Sequence, residues 1–173
     1  HGDHIGGNKI LKDKFNAKIL GFEKDKGKIP MIDVFLNDNQ IWKDDIFEFK
    51  VIHVPGHTLG HICFYFFNEK IVFTGDTLFS LGCGRVFEGS YKDMYNSLLK
   101  LKSLPPVTKI YFGHEYTLNN SIFCDKFDKN NPELDRKIID IKKKLNNKLP
   151  TVPSSIKDEL DCNIFLRAKN LKE

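Results

Sequence analysis

The first seven residues of the chain, from His1 to Gly7, constrain its fold more than any other segment. The imidazoles of His1 and His4 and the carboxylate of Asp3 fall within four positions, and Gly6-Gly7 then allows an unusual backbone path. Crowded polar groups are costly to fold unless a cation collects them. The segment therefore predicts a metal-binding loop.

Further along the chain, metal-capable side chains follow glycine at the ends of predicted strands. They are His57 in Pro-Gly-His, Asp76 in Gly-Asp-Thr and His114 in Gly-His-Glu. A single histidine in such a context is usually structural. Rigid strands, however, aim the loops that follow them at one point. The repeated context therefore predicts that these side chains join the opening segment in one site.

The composition of this set predicts its chemistry. Imidazole and carboxylate without thiolate suit Zn, Fe or Mn. Six candidates exceed the four ligands of one tetrahedral ion, which favours two divalent ions with Asp76 as the bridge. Two ions about 3.5–4 Å apart can deprotonate a water near neutral pH, so the pattern indicates metal-assisted hydrolysis. His61 is able to orient a ligand, but we interpret it, like His53, as an ordinary sheet histidine.

Length and composition indicate the class of protein. With 173 residues, 40% of them hydrophobic, the chain can bury a sizeable core. The net charge of +4 is too small to indicate a nucleic-acid partner. Four dispersed cysteines without a CxxC pair predict free thiols in a reducing compartment. No apolar run approaches the roughly 20 residues of a membrane-spanning helix. Because the chain begins with His, we expect the natural N-terminus and any targeting segment to lie upstream.

Hydrophobic periodicity divides the chain into two parts near Leu118. Residues 1–117 are predicted to form the metal-binding domain and residues 118–173 a small helical domain. Residues 80–89, rich in glycine, are predicted to be an irregular loop. The pattern predicts strands at 17–21, 46–54, 62–67, 70–74 and 109–112, and helices at 8–15, 92–101, 120–127, 132–145 and 154–160.

These motifs resemble those of a known family. His1-x-Asp3-His4 resembles the latter part of the THxHxDH motif of the metallo-β-lactamase superfamily, and the motifs at His57, Asp76 and His114 resemble its later ligand motifs in the same order. The stronger resemblance is to glyoxalase II (hydroxyacylglutathione hydrolase). It rests on the segment from Gly75 to Gly89, on Gly-His-Glu-Tyr-Thr after Phe112, and on Asn-Ile-Phe-Leu-Arg ending at Arg167.

The resemblance implies an α/β fold, the αβ/βα sandwich lacking its first strands here, with a C-terminal helical domain. It implies hydrolysis of S-D-lactoylglutathione to D-lactate and glutathione, the second step of methylglyoxal detoxification. Two divalent ions are implied, with Zn favoured over Fe or Mn. His1 and His57 would bind the first ion, Asp3, His4 and His114 the second, and Asp76 both, which makes Asp3 and Asp76 the catalytic carboxylates.

The resemblance also implies substrate contacts. Cations and hydroxyls suit glutathione, which is anionic at both carboxylates. Phe87 stands where the family often has tyrosine, which removes one hydroxyl contact. We expect a cytoplasmic monomer, with an organelle as the alternative, that binds a small glutathione thioester and neither nucleic acid nor membrane. The implied substrate residues are Arg85, Phe87, Tyr116, Arg167, Lys169 and Lys172.

One departure keeps other functions open. The family motif begins with Thr-His before His1, so we expect these 173 residues alone to bind the first ion poorly and to fold poorly. A persulfide dioxygenase of the same superfamily, with a single iron and a similar Gly-Cys-Gly-Arg run, is the second enzyme hypothesis. A superfamily nuclease lacks support because basic and aromatic residues do not cluster. A fragment that binds glutathione conjugates without turnover is the non-enzymatic alternative.

Overall fold

The computed structural model describes residues 1–172, so Glu173, the end of the predicted helical domain, lies outside the described residues. Short strands dominate the first part of the chain and helices the second. The strands are β1 (Leu20–Phe22), β2 (Val34–Leu36), β3 (Ile41–Lys43), β4 (Glu48–His53), β5 (Ile62–Phe66), β6 (Ile71–Gly75), β7 (Leu78–Phe79), β8 (Gly82–Cys83), β9 (Lys109–Phe112) and β10 (Ser154–Ser155). The helices are α1 (Gly2–Ile5), α2 (Asn8–Phe15), α3 (Tyr91–Lys102), α4 (Thr117–Phe127), α5 (Pro132–Asn146), α6 (Ile156–Cys162) and α7 (Ile164–Arg167).

The main sheet has six strands in the order β10-β9-β6-β5-β4-β3. Strands β3 to β6 form an antiparallel meander, whereas β6 and β9 are parallel neighbours, with Gly75 opposite Phe112. Parallel strands end at the same sheet edge. The residues that follow β6 and β9, Asp76 and His114, are therefore brought side by side, and the backbone N–H of Gly113 donates to the carbonyl of Gly75 at 2.9 Å.

The sheet buries side chains on both faces. On one face Phe49 and Val51 of β4 pack with Leu36. On the other face Ile52 packs with residues of α3, among them Leu98. The alternation of residues 46–54 predicts a half-buried strand, with Phe47, Phe49 and Val51 on one face and Glu48, Lys50 and Ile52 on the other. That prediction is wrong for Ile52, which is only 8% exposed because α3 covers its face.

Several element boundaries differ from the predictions. Helix 8–15 is confirmed, but the first strand begins at Leu20, not at residue 17. The predicted helix 154–160 begins at Ile156, because Ser154–Ser155 pair with β9 at the sheet edge. The predicted loop 80–89 contains β8, which forms a hairpin with β7. Strands of two or three residues are too short to carry a hydrophobic period, and β2, β3, β7 and β8 were missed for that reason.

A buried carboxylate ties the C-terminal helices to the sheet. Glu159 of α6 is fully buried, and it accepts hydrogen bonds from the backbone N–H of Leu81 at 2.7 Å and from Asn163 Nδ2 at 3.0 Å. The hydroxyl of Ser154 donates to its other oxygen. Burial raises the pKa of this carboxyl. Glu159 thus joins α6, β10 and the β7–β8 turn, and long-range links of this kind cannot be predicted from sequence spacing.

The cysteines are free thiols. Cys63, Cys124 and Cys162 are buried and Cys83 is partly buried. Burial raises the pKa of Cys83 and Cys162 to about 12, so neither thiol is a reactive thiolate at neutral pH. Within residues 1–172, no helix combines the length and the apolar character needed to cross a membrane.

Candidate metal centre

The opening segment folds differently from the predicted loop. Gly2–Ile5 form one helical turn, in which the N–H of His4 donates to the carbonyl of His1 at 3.1 Å and that of Gly6 to the carbonyl of Gly2 at 2.8 Å. Residues three apart lie on the same side of a helix. The turn therefore places the side chains of His1 and His4 on the same side. The segment that the sequence predicted to be a metal-binding loop is thus a helical turn.

His57 is held in one orientation by a backbone carbonyl. It lies in the turn after β4, is 6% exposed, and its Nδ1 is 2.8 Å from the carbonyl oxygen of Arg85. The carbonyl can only accept, so Nδ1 carries the proton and Nε2 is left as the ligand atom. This Nε2 lies 3.1 Å from Nδ1 of His1.

Asp76 lies at the centre of the cluster. Its Oδ2 is 3.3 Å from Nε2 of His4, 3.4 Å from Nε2 of His57 and 3.3 Å from Nε2 of His114. Its Oδ1 is buried and has no hydrogen-bond partner among residues 1–172. A buried carboxylate oxygen without a partner is costly. An arrangement of ring nitrogens around this carboxylate suits a divalent cation, which would satisfy both oxygens.

Asp3 completes the cluster beside His4 and His114. Its Oδ2 lies 3.3 Å from Nε2 of His114 and 3.7 Å from Nε2 of His4. One ligand atom from each of these residues lies within 4.8 Å of the others. The structure thus brings together all six predicted ligands, as a His1–His57 pair and an Asp3–His4–His114 group that share Asp76. The donor set fits divalent ions.

Two glycines allow the chain to pack closely around Asp76. A Cβ atom on Gly84 would lie 1.8 Å from the carbonyl oxygen of Asp76, and one on Gly113 would lie 2.4 Å from its Oδ1. Contacts this short require the backbone to move. Gly84 and Gly113 are therefore part of the site, although the sequence indicated only that they precede functional residues.

Replacing Gly84 by Ala is expected to displace Asp76 and to weaken metal binding by on the order of 10-fold or more, the loss typical of disturbed ligand support. Gly7→Ala is the matched control, because its Cβ would meet only Leu11 Cδ1, at 3.7 Å. Competition with a chelating dye measures both affinities. Equal affinities of the Gly84→Ala variant and the wild-type chain would contradict this account of the packing.

His61 differs from its interpretation as an ordinary sheet histidine. It lies one residue before β5, and its Nε2 is 3.1 Å from the backbone nitrogen of Asp76. Burial, with the nearby His57, lowers the pKa of His61 to about 4, so the ring is neutral at pH 7. His53 does fit that interpretation, since it ends β4, stacks on Phe22 and bonds through Nε2 to the carbonyl of Leu59.

A cavity of about 1180 Å³ lies beside the cluster, and it contains some of the predicted substrate residues. Arg85, Phe87, Arg167 and Lys169 line it. The ring of Phe87 also contacts the rings of His57 and His1, with centroids 5.2 and 5.6 Å apart, so it joins the cavity to the cluster. The guanidinium of Arg167 is paired with the carboxylate of Asp128, a residue that sequence analysis missed.

The remaining predicted substrate residues lie elsewhere. Tyr116 is half-exposed and stacks on His114, with ring centroids 5.0 Å apart and planes inclined by 20°. Lys172 does not line the cavity, and its backbone N–H donates to Asn170 Oδ1 at 2.9 Å. Tyr116 therefore lies at the cluster and not at the cavity. Lys172 lies at neither the cluster nor the cavity.

Comparison with known proteins agrees with this arrangement. Residues 1–114 match the family model of the metallo-β-lactamase superfamily, and residues 115–173 match the model of the hydroxyacylglutathione hydrolase C-terminus. The fold and the cluster thus define a metallo-β-lactamase superfamily protein, a superfamily whose members bind divalent metal ions. The predicted fold class, an α/β sandwich with a C-terminal helical region, is confirmed.

Similarity to a single known protein identifies the family within this superfamily. The chain is 60% identical over 168 residues to the hydroxyacylglutathione hydrolase of Pelagibacter ubique, which covers 97% of this chain and 70% of that protein. It therefore belongs to the hydroxyacylglutathione hydrolase family, as the motifs predicted.

Solved structures show the same fold. ETHE1 from Myxococcus xanthus superposes with a TM-score of 0.71 at 24% identity, covering 99% of this chain and 61% of that one. TTHA1623 in a di-iron-bound form superposes with a TM-score of 0.56 at 29% identity, covering 66% of this chain and 65% of that one. The chain thus spans less than two thirds of the length of either solved protein.

Proposed function

We propose that this chain hydrolyses the thioester S-D-lactoylglutathione to D-lactate and glutathione with the help of two divalent ions. The observation that carries the proposal is the convergence of three imidazole Nε2 atoms on Asp76 Oδ2 beside a cavity lined by arginines. Its family includes the hydroxyacylglutathione hydrolase of Pelagibacter ubique, at 60% identity. The name of that relative gives hydroxyacylglutathione as its substrate class, and S-D-lactoylglutathione is a thioester of that class.

We assign the ions to two ligand sets. His1 and His57 would hold one ion, Asp3, His4 and His114 the other, and Asp76 both. The grouping of the interatomic distances supports this division, and the di-iron-bound form of TTHA1623 supports the count of two. Zinc is proposed for both positions, because neutral imidazole and carboxylate suit it, and iron or manganese are the alternatives. Bound there, divalent ions would activate water near neutral pH and polarise the thioester carbonyl.

The chain's own residues prepare this site. The carbonyl of Arg85 holds His57 with Nε2 directed into the cluster. The ring of Phe87 packs edge-on against the rings of His1 and His57 and so limits their movement on that side of the cluster. Tyr116 stacks on His114 and limits the rotation of its ring. These contacts reduce the reorganisation that the reaction requires.

We propose that the cavity holds the glutathione moiety by its carboxylates. Arg85 and Lys169 supply positive charge on its wall, and Arg167 lies there paired with Asp128. Arginine binds carboxylates through two parallel hydrogen bonds, so a substrate carboxylate would share or replace Asp128 at Arg167. Tyr116 and Lys172 remain proposed substrate contacts on the motif resemblance alone, and Lys172 lines neither the cavity nor the cluster. We also propose domains at 1–117 and 118–173 and a monomeric state. The free thiols support a reducing compartment, and we propose the cytoplasm.

Replacing Arg85 by Met is expected to raise KM for the thioester by about 10-fold or more, because a hydrogen bond to a charged group contributes about 1.5–3 kcal/mol. The kcat should change less, since the bond from His57 uses the backbone carbonyl of residue 85. Arg136→Met is the control, as Arg136 is exposed and pairs with Glu133. Steady-state assay of thiol release measures both constants. An unchanged KM would contradict the proposed contact.

The experiment that tests the function compares three measurements on one preparation. They are metal content, thiol release from S-D-lactoylglutathione, and oxygen uptake with glutathione persulfide. Thiol release that depends on bound metal is the expected result. Oxygen uptake without thioester cleavage would instead identify a persulfide dioxygenase, and binding of glutathione conjugates without turnover would identify a non-catalytic protein.

A further inference from the structure

The turn that carries Asp76 leaves one backbone donor without a partner inside the turn. In the turn from Thr74 to Thr77, the N–H of Thr77 donates to the carbonyl of Thr74 at 3.1 Å, and Gly75 has a φ of +48°. This hydrogen bond closes the turn but does not involve the N–H of Asp76. That N–H donates instead to Nε2 of His61, at 3.1 Å.

The side chain of Asp76 has little else to fix its direction. Its Oδ1 accepts no hydrogen bond from residues 1–172, and its Oδ2 faces the ring nitrogens that we propose as ligands. The close approach of Gly84 and Gly113 limits where the residue can move. The position of the Asp76 backbone therefore determines where the carboxylate points, and His61 holds that backbone.

His61 is itself held in place. Its carbonyl accepts a hydrogen bond from the N–H of Val54 at 2.8 Å, which fixes it between β4 and β5. Its ring lies against Gly75, where a Cβ atom would be 2.8 Å from Nε2. Because the backbone N–H of Asp76 can only donate, Nε2 must be the acceptor and the ring proton must lie on Nδ1.

We infer that His61 is a positioning residue of the metal centre, which aims the Asp76 carboxylate by accepting the hydrogen bond from its backbone N–H. The inference rests on the proposed role of Asp76 as a ligand of both ions. A group that orients a metal ligand typically changes metal affinity by 10- to 100-fold when it is removed, roughly the effect expected here. An ordinary buried histidine would change folding stability instead.

Two substitutions that both retain an amide separate these possibilities. In His61→Gln the amide extends to about the position of Nε2 and keeps an acceptor for Asp76. In His61→Asn the amide ends near the position of Nδ1 and leaves the Asp76 N–H without a partner. Zn²⁺ affinity is measured by competition with a chelating dye, and the stability of the metal-free protein by urea unfolding. His53→Asn is the control, since Nε2 of His53 also hydrogen-bonds a backbone group, but that group is the carbonyl of Leu59 and not the N–H of Asp76.

We expect His61→Asn to bind Zn²⁺ about 10- to 100-fold more weakly than the wild-type chain, while His61→Gln and His53→Asn stay close to it. Equal Zn²⁺ affinity of all three variants would overturn the inference, and so would an equal loss in His61→Gln and His61→Asn. Asp76→Asn, measured alongside, separates the two proposals. If Asp76→Asn and His61→Asn both bind Zn²⁺ like the wild-type chain, the proposed metal centre is wrong. If Asp76→Asn loses Zn²⁺ affinity and His61→Asn does not, only the proposed role of His61 is wrong.

Discussion

Replacement of Asp76 by Asn is expected to reduce kcat/KM for S-D-lactoylglutathione by at least about 10²- to 10³-fold, the loss typical when one preorganised electrostatic group is removed. Asp76 Oδ2 is the atom on which the imidazoles of His4, His57 and His114 converge. An amide of the same size carries no charge and offers one oxygen only. Both proposed ions would therefore lose their shared ligand.

The loss is measured as thiol release at equal protein concentration, with metal content determined on the same samples. Asp125→Asn is the matched control, because Asp125 is half-exposed on α4 and pairs with Lys129, which lies two residues beyond the end of that helix. A near-normal rate in the Asp76 variant, with metal still bound, would contradict the bridging role.

Replacement of Glu159 by Ala is expected to lower the free energy of unfolding by about 3–5 kcal/mol. The substitution leaves two buried donors without their acceptor, the N–H of Leu81 and the hydroxyl of Ser154. The amide of Asn163 loses one of its acceptors but keeps the carbonyl of Gly82. Each buried donor left without a partner costs about 1–3 kcal/mol, and the cavity adds to that cost. The β7–β8 turn and the C-terminal helices would lose their link.

Urea unfolding followed by circular dichroism measures this change in stability. Glu133→Ala is the control, since Glu133 is exposed on α5 and pairs with Arg136. A change in the Glu159 variant no larger than that of the control would contradict the structural role of the buried carboxylate.

Sequence motifs predicted the candidate ligands because the chemistry of the site is local to strand ends. His57, Asp76 and His114 each follow a glycine at the end of a turn or strand, and such contexts are visible in the sequence. The parallel pairing of β6 with β9 explains why two of these contexts meet. The opening segment was recognised by its composition, although its backbone is a helical turn and not a loop.

The supporting residues could not be predicted because their partners are distant in the chain. Glu159 bonds to Leu81, 78 positions away, and His61 bonds to Asp76 across a hairpin. The burial of Ile52 depends on α3, which packs on that face of the sheet from elsewhere in the sequence. The spacing from His57 to His61, four residues across one turn, was the available signal that His61 lies near the site.

The cavity is likewise a tertiary feature. The motif resemblance predicted four substrate residues that all line the cavity: Arg85, Phe87, Arg167 and Lys169. Asp128, the partner of Arg167, follows α4 in a stretch without any motif. Charge complementarity between residues 39 positions apart becomes visible only when α4 and α7 are brought together.

The central claim is that this cluster binds divalent ions that are required for thioester hydrolysis. Thiol release from S-D-lactoylglutathione, measured before chelation, after chelation and after Zn²⁺ is returned, tests it most directly. We expect chelation to abolish thiol release, and Zn²⁺ to restore it in the wild-type chain but not in Asp76→Asn. Thiol release that persists at the original rate in metal-free protein would contradict it.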